Sequence, residues 1–349
     1  MAFMTITSPH AHGPMSTAKI MQLVVLATLP GIFAMTWFFG FGTLVNILVA
    51  AIVALGLEAL MMTMRGRPAS FYLKDYSALV TAVLLGIALP PGSPWWLIAV
   101  GSGSAIVLAK HLYGGMGYNP FNPAMVGYVI LLISFPVEMT QWLAPRGADD
   151  GAGLGLIEAL RACFGGLDIT VDAVTMATPL DALKQNQSLT MDALYQQPQF
   201  GDWAGAGWEW VNLAFLAGGL YLLYRRVYTW HAPIGMLIGL GLAAAMFYRG
   251  DGSDSLGSPL FHWFSGATML GAFFIVTDPV SSAVSNRGRL VFGFTIGVLI
   301  FLIRSWGNYP DAVAFSVLLL NFAAPFIDHY TQPRTYGHSK KRASGQEKD

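Results

Sequence analysis

Residues 117–124 read Gly117-Tyr118-Asn119-Pro120-Phe121-Asn122-Pro123-Ala124, and residues 307–314 read Gly307-Asn308-Tyr309-Pro310-Asp311-Ala312-Val313-Ala314. The runs share a glycine, a tyrosine–asparagine pair in either order, a proline and a closing alanine, at an offset of 190. Upstream of each, a short apolar segment ends in proline, as Ala88-Leu89-Pro90-Pro91 and as Val276-Thr277-Asp278-Pro279, with Pro90 and Pro279 lying 189 apart. Two nearly equal offsets mark an internal repeat. The competing reading is that Gly, Asn and Pro simply collect where helices end.

The chain around these runs belongs in a bilayer. It has 349 residues, 54% of them hydrophobic and 11% charged, whereas a soluble domain carries about 25% charge. A membrane helix needs about 20 mostly apolar residues. Six segments approach that length, at 20–39, 43–64, 95–112, 208–224, 232–248 and 290–303, and four are shorter, at 77–89, 124–135, 265–277 and 311–326. Five spans fall in each half, and an odd number inverts the second half relative to the first. We therefore expect an all-α integral membrane protein of about ten transmembrane helices, built as two inverted five-helix repeats with a polar exoplasmic insertion. The expected divisions are 1–136, the first membrane repeat; 137–207, the insertion; 208–330, the second repeat; and 331–349, a cytoplasmic tail. Short or Gly/Pro-broken spans at matching places in inverted halves point to a site near the midplane.

Sidedness follows from Lys and Arg. With both termini inside, the inner side receives Lys19, Arg65, Arg67, Lys74, Lys110, Arg225, Arg226, Arg287, Arg289 and the tail from Arg334 to Lys348. The outer side keeps only Arg146, Arg161, Lys184, Arg249 and Arg304. The segment 20–39 is too long for the apolar region of a signal peptide. Formal net charge is zero, so no basic field exists to hold nucleic acid. The single cysteine, Cys163, excludes an internal disulfide or a thiolate-ligated cluster within the chain.

Within the insertion stands Asp172-Ala-Val-Thr175-Met-Ala177-Thr178-Pro179-Leu180-Asp181. Read structurally, Thr178 is an N-cap, Pro179 the first helical residue and Asp181 the end of an acidic capping box. Read functionally, a phosphate ester on Thr178 would meet free amides of Leu180 and Asp181 and the positive end of a helix dipole. The two readings are compatible.

The pattern Asp172-x-x-Thr175-x-Ala177-Thr178 resembles the flavinylation motif of the NqrB/RnfD family, membrane subunits of ion-translocating respiratory oxidoreductases whose last motif threonine is esterified by the phosphate of FMN. The likeness spans most of the chain, through IMQLVVLATLPG at 20–31, DYSALVTAVLLGIALPPGSPWW at 75–96, KHLYGGMGYNPFNPAMVGYVILLISFP at 110–136, MLGAFFIVTDPV at 269–280, IRSWGNYPDAVAFSVLLLNFAAPFID at 303–328 and PRTYG at 333–337. Length and a short N-terminal segment lie nearer the RnfD branch. Met176 stands where the family motif usually has Gly.

The resemblance implies covalent FMN on Thr178, supported by Asp172, Thr175 and Ala177, and allows a noncovalent riboflavin. It implies the bacterial inner membrane, with Rnf subunits A, B, C, E and G and membrane lipid as partners, and a flavin transferase for maturation. The activity implied is electron transfer between ferredoxin and NAD coupled to Na⁺ or H⁺ movement, carried out by the complex and not by this chain alone. Ser265-Gly266-Ala267-Thr268 spells the commoner motif letter by letter but has His262 in place of the upstream acid, and packing of small residues explains it.

Ionisable groups at membrane depth are functional candidates by default. Asp278, Asp311 and Glu58 are the ion-pathway candidates, each also readable as a helix cap or an interfacial group. Asn119, Asn122 and Asn308 suit broken-helix backbone. Trp95, Trp96 and Trp306 are candidates to line a second flavin pocket, while the other Trp and Tyr suit interfacial belts. Cys163 and the His residues show no metal-ligand spacing. The rival function is a solute channel or transporter with the same repeat fold and no redox cofactor, and the polar insertion argues against it.

Overall fold

A computed structural model describes residues 15–148, 153–165, 175–186, 188–250, 252, 255–309 and 311–331. Asp172 and the basic tail lie outside the described residues. The helices in chain order are α1 Thr17–Phe39, α2 Gly42–Met64, α3 Ala69–Leu73, α4 Ser77–Ala88, α5 Trp95–Gly103, α6 Pro123–Ser134, α7 Pro136–Thr140, α8 Leu156–Phe164, α9 Pro179–Gln185 and α10 Met191–Tyr195. They continue as α11 Trp208–Tyr224, α12 His231–Phe247, α13 Pro259–Phe264, α14 Thr268–Leu270, α15 Asn286–Trp306 and α16 Val313–Thr331. Two π-helical segments, Ser104–His111 and Gly271–Ile275, extend α5 and α14. Among the described residues, extended pairing is confined to isolated bridges such as Leu143 with Thr175.

Every one of the ten apolar segments carries helix. Four helices, α1, α2, α15 and α16, are long and apolar enough to cross a membrane. The segment expected at 265–277 departs most from its reading: regular helix begins only at Thr268 and gives way to π-helix at Gly271. Apolar composition marks where a span lies, but hydrogen-bond spacing within it depends on packing.

Some helix contacts correspond between the first and second parts of the chain, though α1–α2 has no counterpart of like extent between α11 and α12. In the first, α2 packs on α4 and α5, α5 on α6, and α1 on α4. In the second, α12 packs on α15 and the Gly271–Ile275 segment, α15 on α16, and α11 on α14 and that same segment. The seam joins α1 to α11 and α6 to α16.

Close approach is made possible by small residues. Gly235 and Gly239 of α12 face α15 backbone at Leu290 and Phe294, while Gly293 and Gly297 of α15 face Ala232 and Met236 carbonyls, and a Cβ at any of the four would collide. Two reciprocal Gly-x-x-x-Gly pairs thus bring the helix axes together, which is how helices gain contact in lipid, where no hydrophobic drive operates between them.

Backbone freed by broken spans is satisfied by buried asparagines. Asn46 donates to Pro90 O at 2.8 Å, capping the end of α4. Asn212 donates to Gly266 O at 2.9 Å and accepts from Met269 N at 3.0 Å. Asn321 donates to Ser281 O at 2.9 Å and accepts from Asn122 N at 3.2 Å, linking the halves. Asn122 in turn caps α6, with Pro123 at its first position. Unpaired polar backbone would be costly at this depth.

Candidate functional site

Thr178 is the N-cap of α9: its backbone is extended, and its Oγ1 accepts from Asp181 N at 3.2 Å. The hydroxyl donates to Asp181 Oδ2 at 2.6 Å. The N-cap expected from sequence is therefore formed, with Asp181 joined to Thr178 through the two side chains. One expectation is corrected: the Asp181 amide is not free for a phosphate, because the threonine oxygen occupies it. Burial raises the Asp181 carboxyl above its usual range and Asp311 acts in the same direction, opposed by the Thr178 hydroxyl and Lys184.

The insertion holds Thr178 against the second half of the chain. Met176 N donates to Trp142 O at 2.9 Å. Lys184 Nζ donates to Tyr309 O at 2.9 Å. Gly266 sits at φ +59°, and a Cβ there would run into Leu180 and crowd the Arg304 guanidinium, so this turn needs glycine both for its backbone and for contact with the insertion.

Thr178 lines a narrow, open groove of about 80 Å³. Its walls bring together Tyr128, Trp142, Trp208 and Phe215 with Asp181 and Asp311. Trp142 and Trp208 meet edge to face, 4.8 Å between ring centroids. The groove lies between the halves, at the ends of α1, α4 and α11 marked by Met35, Ile87 and Trp208.

Thr268 occupies a different environment. It is fully buried, its hydroxyl donates to His262 O at 2.8 Å, and it accepts from Arg304 Nη2 at 2.9 Å. Arg304, counted among outer charges from sequence, is itself buried and reaches Asp311 at 3.5 Å. Asp311 precedes α16 and accepts from Val313 N at 3.4 Å, so it caps that helix while facing the groove.

The remaining candidates lie at the other end of the seam, around a cavity of about 660 Å³. Its wall includes Ile20 of α1, Ser77 of α4, Lys110, Asn122, Arg226 and Asp278. Asp278 accepts from Ser281 Oγ at 2.5 Å. Glu58 is buried and bonded to Lys110 Nζ at 2.8 Å and His111 Nε2 at 3.0 Å, not snorkelling to an interface. The ion-pathway candidates thus fall into two groups at opposite ends of α1, α4 and α11, not at one midplane point. Lys110 and His111 were missed as site residues because sequence shows no sign that a π-helical turn aims neighbours at one carboxylate.

Trp95, Trp96 and Trp306 line neither space. Trp95 and Trp306 are about half exposed, and Trp96 packs on Phe135. Their clustering near span ends is explained by interfacial position.

Residues 4–337 match the model of the NQR2, RnfD, RnfE family. The chain belongs to this family. Among relatives, it is 61% identical over 347 residues to a protein of Cellvibrio japonicus, covering 98% of this chain and 97% of the relative. It is 60% identical to one from Pseudomonas paraeruginosa over 335 residues, covering 96% of each, and 52% identical to one from Vibrio cholerae over 353 residues, covering 97% of this chain and all of the relative. Each of these is named as the D component of an ion-translocating oxidoreductase complex.

Proposed function

We propose that this family member is the D component of an ion-translocating oxidoreductase complex and carries FMN as a phosphoester of Thr178. The observation that carries the reading is the placement of the Thr178 hydroxyl on an aromatic-walled groove at the seam. The residues fit the group: a half-buried hydroxyl for the ester and Tyr128, Trp142, Trp208 and Phe215 for a flat ring system. When bound, the flavin supplies one-electron chemistry that no side chain here provides. Asp181 holds the hydroxyl in one rotamer through its 2.6 Å bond. Arg304 holds Asp311, and the docked α9 shields the groove.

In this reading Rnf subunits A, B, C, E and G are the partners, and a flavin transferase loads Thr178. Electrons pass between ferredoxin and NAD, and Na⁺ or H⁺ moves across the bacterial inner membrane. Five spans in each half, inverted, with both termini inside, place Thr178 on the outer face. The corresponding helix contacts and the charge bias support that topology. The larger cavity, about 660 Å³, is the place for a noncovalent riboflavin in this reading. Peptide mass spectrometry of the purified complex tests the central assignment. The expected adduct is FMN on the peptide containing Thr178, and an unmodified Thr178 peptide overturns the assignment of the flavin to this threonine.

A further inference from the structure

Glu58, Lys110 and His111 form an ionic cluster that no part of the Thr178 site uses. Its three side chains are each at most 3% exposed. Removing a Lys–Glu pair from water costs several kcal/mol per ion, and π-helical turns such as Ser104–His111 concentrate at functional sites. The cluster does not end with the ion pair. Lys110 Nζ also donates to Ser77 Oγ at 2.8 Å, and Ser77 Oγ donates to Asp75 Oδ1 at 2.6 Å. Asp75 is partly exposed, in the turn between α3 and α4. Ser77 and Lys110 both line the larger cavity. On the far side of Glu58, His111 Nδ1 is buried without a hydrogen-bond partner. Asp75 also caps α4 through the Ser77 amide at 2.8 Å, but capping requires neither the Ser77 hydroxyl nor a buried lysine beyond it.

We propose that Asp75, Ser77 and Lys110, backed by Glu58 and His111, form a proton wire between the α3–α4 surface and the larger cavity. As the hydroxyl is oriented, Lys110 Nζ gives a proton to Ser77 Oγ while that hydroxyl gives its own to Asp75 Oδ1, which releases it to water. The amine left at Lys110 then takes a proton from an acidic group in the cavity, restoring the charge opposite Glu58. Rotation of the Ser77 hydroxyl runs the same steps inward. No electrons move along the wire. The cavity occupant it serves is a redox-active small molecule whose protonation changes with its oxidation state. The proposal rests on the chain belonging to an oxidoreductase complex and not on the assignment of Thr178.

The test is electron transfer by the whole complex in membrane vesicles, in H₂O and D₂O, for wild type, Ser77→Ala and Ser77→Thr. Ser77→Ala is expected to slow transfer about tenfold or more, on the scale of a lost proton-transfer group, and to enlarge the solvent isotope effect. Ser77→Thr restores the hydroxyl and the rate, and imidazole, a small diffusible proton carrier, accelerates Ser77→Ala. A wild-type rate and isotope effect in Ser77→Ala overturns the wire. So does a slowing that Ser77→Thr and imidazole both fail to relieve, which marks a structural role. Absence of covalent flavin from the wild-type complex would count against Thr178 alone, because the wire is read from rates in D₂O.

Discussion

At Thr178 one oxygen serves two ends, as the cap of α9 and as the proposed ester oxygen. Thr178→Ser keeps the hydroxyl, and flavin labelling is expected to persist. Thr178→Ala removes the cap as well, at a cost of about 1 kcal/mol, so α9 amides should exchange faster with deuterium. Asp181 adds a pH dependence with a defined sign. Its folded pKa lies above the ordinary 3.8, so the stability it contributes is complete below that value and is lost as pH rises through the folded pKa. Hydrogen exchange in α9 should therefore quicken across that rise in wild type and show no such step in Asp181→Asn. An identical pH profile in the two proteins would remove Asp181 from the account. The cap was legible because Thr-Pro-x-Asp is a local pattern, read within four residues. The occupancy of the Asp181 amide was not, since a pattern names donors without saying which acceptor takes them.

Among the elements, α12 and α15 make the most intimate contact, through Gly235, Gly239, Gly293 and Gly297. Gly297→Leu would drive a side chain into the Met236 carbonyl. Overpacking of this kind costs about 1–3 kcal/mol, and the detergent-solubilised protein is expected to melt several degrees lower, whereas Gly56→Leu, at a glycine with open space around it, should melt as wild type. Equal melting of the two variants would show that the α12–α15 contact tolerates separation. The positions of helices could be read from the sequence because apolar length alone sets them. Their partners could not, because in a chain 54% hydrophobic apolar faces lie all around each helix and periodicity loses its power to choose one. The π-helical turns escaped for a related reason: Ser104–His111 reads as ordinary apolar helix, and only its contact with Glu58 on α2 distinguishes it.

Over the whole molecule, the distribution of Lys and Arg predicts that the insertion faces outward. Cys163, the only cysteine in the chain, is buried, so a cysteine placed at exposed Ser188 should take nearly all of an impermeant thiol reagent added to intact spheroplasts. Labelling seen only after the membrane is opened would reverse the topology. Asp278 faces the larger cavity at the opposite end from Thr178. Asp278→Asn is expected to leave covalent flavin unchanged while lowering ion uptake by vesicles, and unchanged uptake would reduce it to a cap for Ser281. The matching runs behind the repeat expectation were visible because both carry Gly, Asn and Pro. The split of the candidate residues between two ends of the seam was invisible, because sequence offsets relate the halves without setting their depth.

The central claim, that Thr178 carries the flavin, is tested most directly by ultraviolet fluorescence of the denatured chain on a gel. Wild type, Thr178→Ala and Thr268→Ala would be expressed with the other subunits and the flavin transferase. The account predicts a fluorescent band for wild type and Thr268→Ala and a dark band of equal protein content for Thr178→Ala. A fluorescent Thr178→Ala band, or a dark Thr268→Ala band, would contradict it.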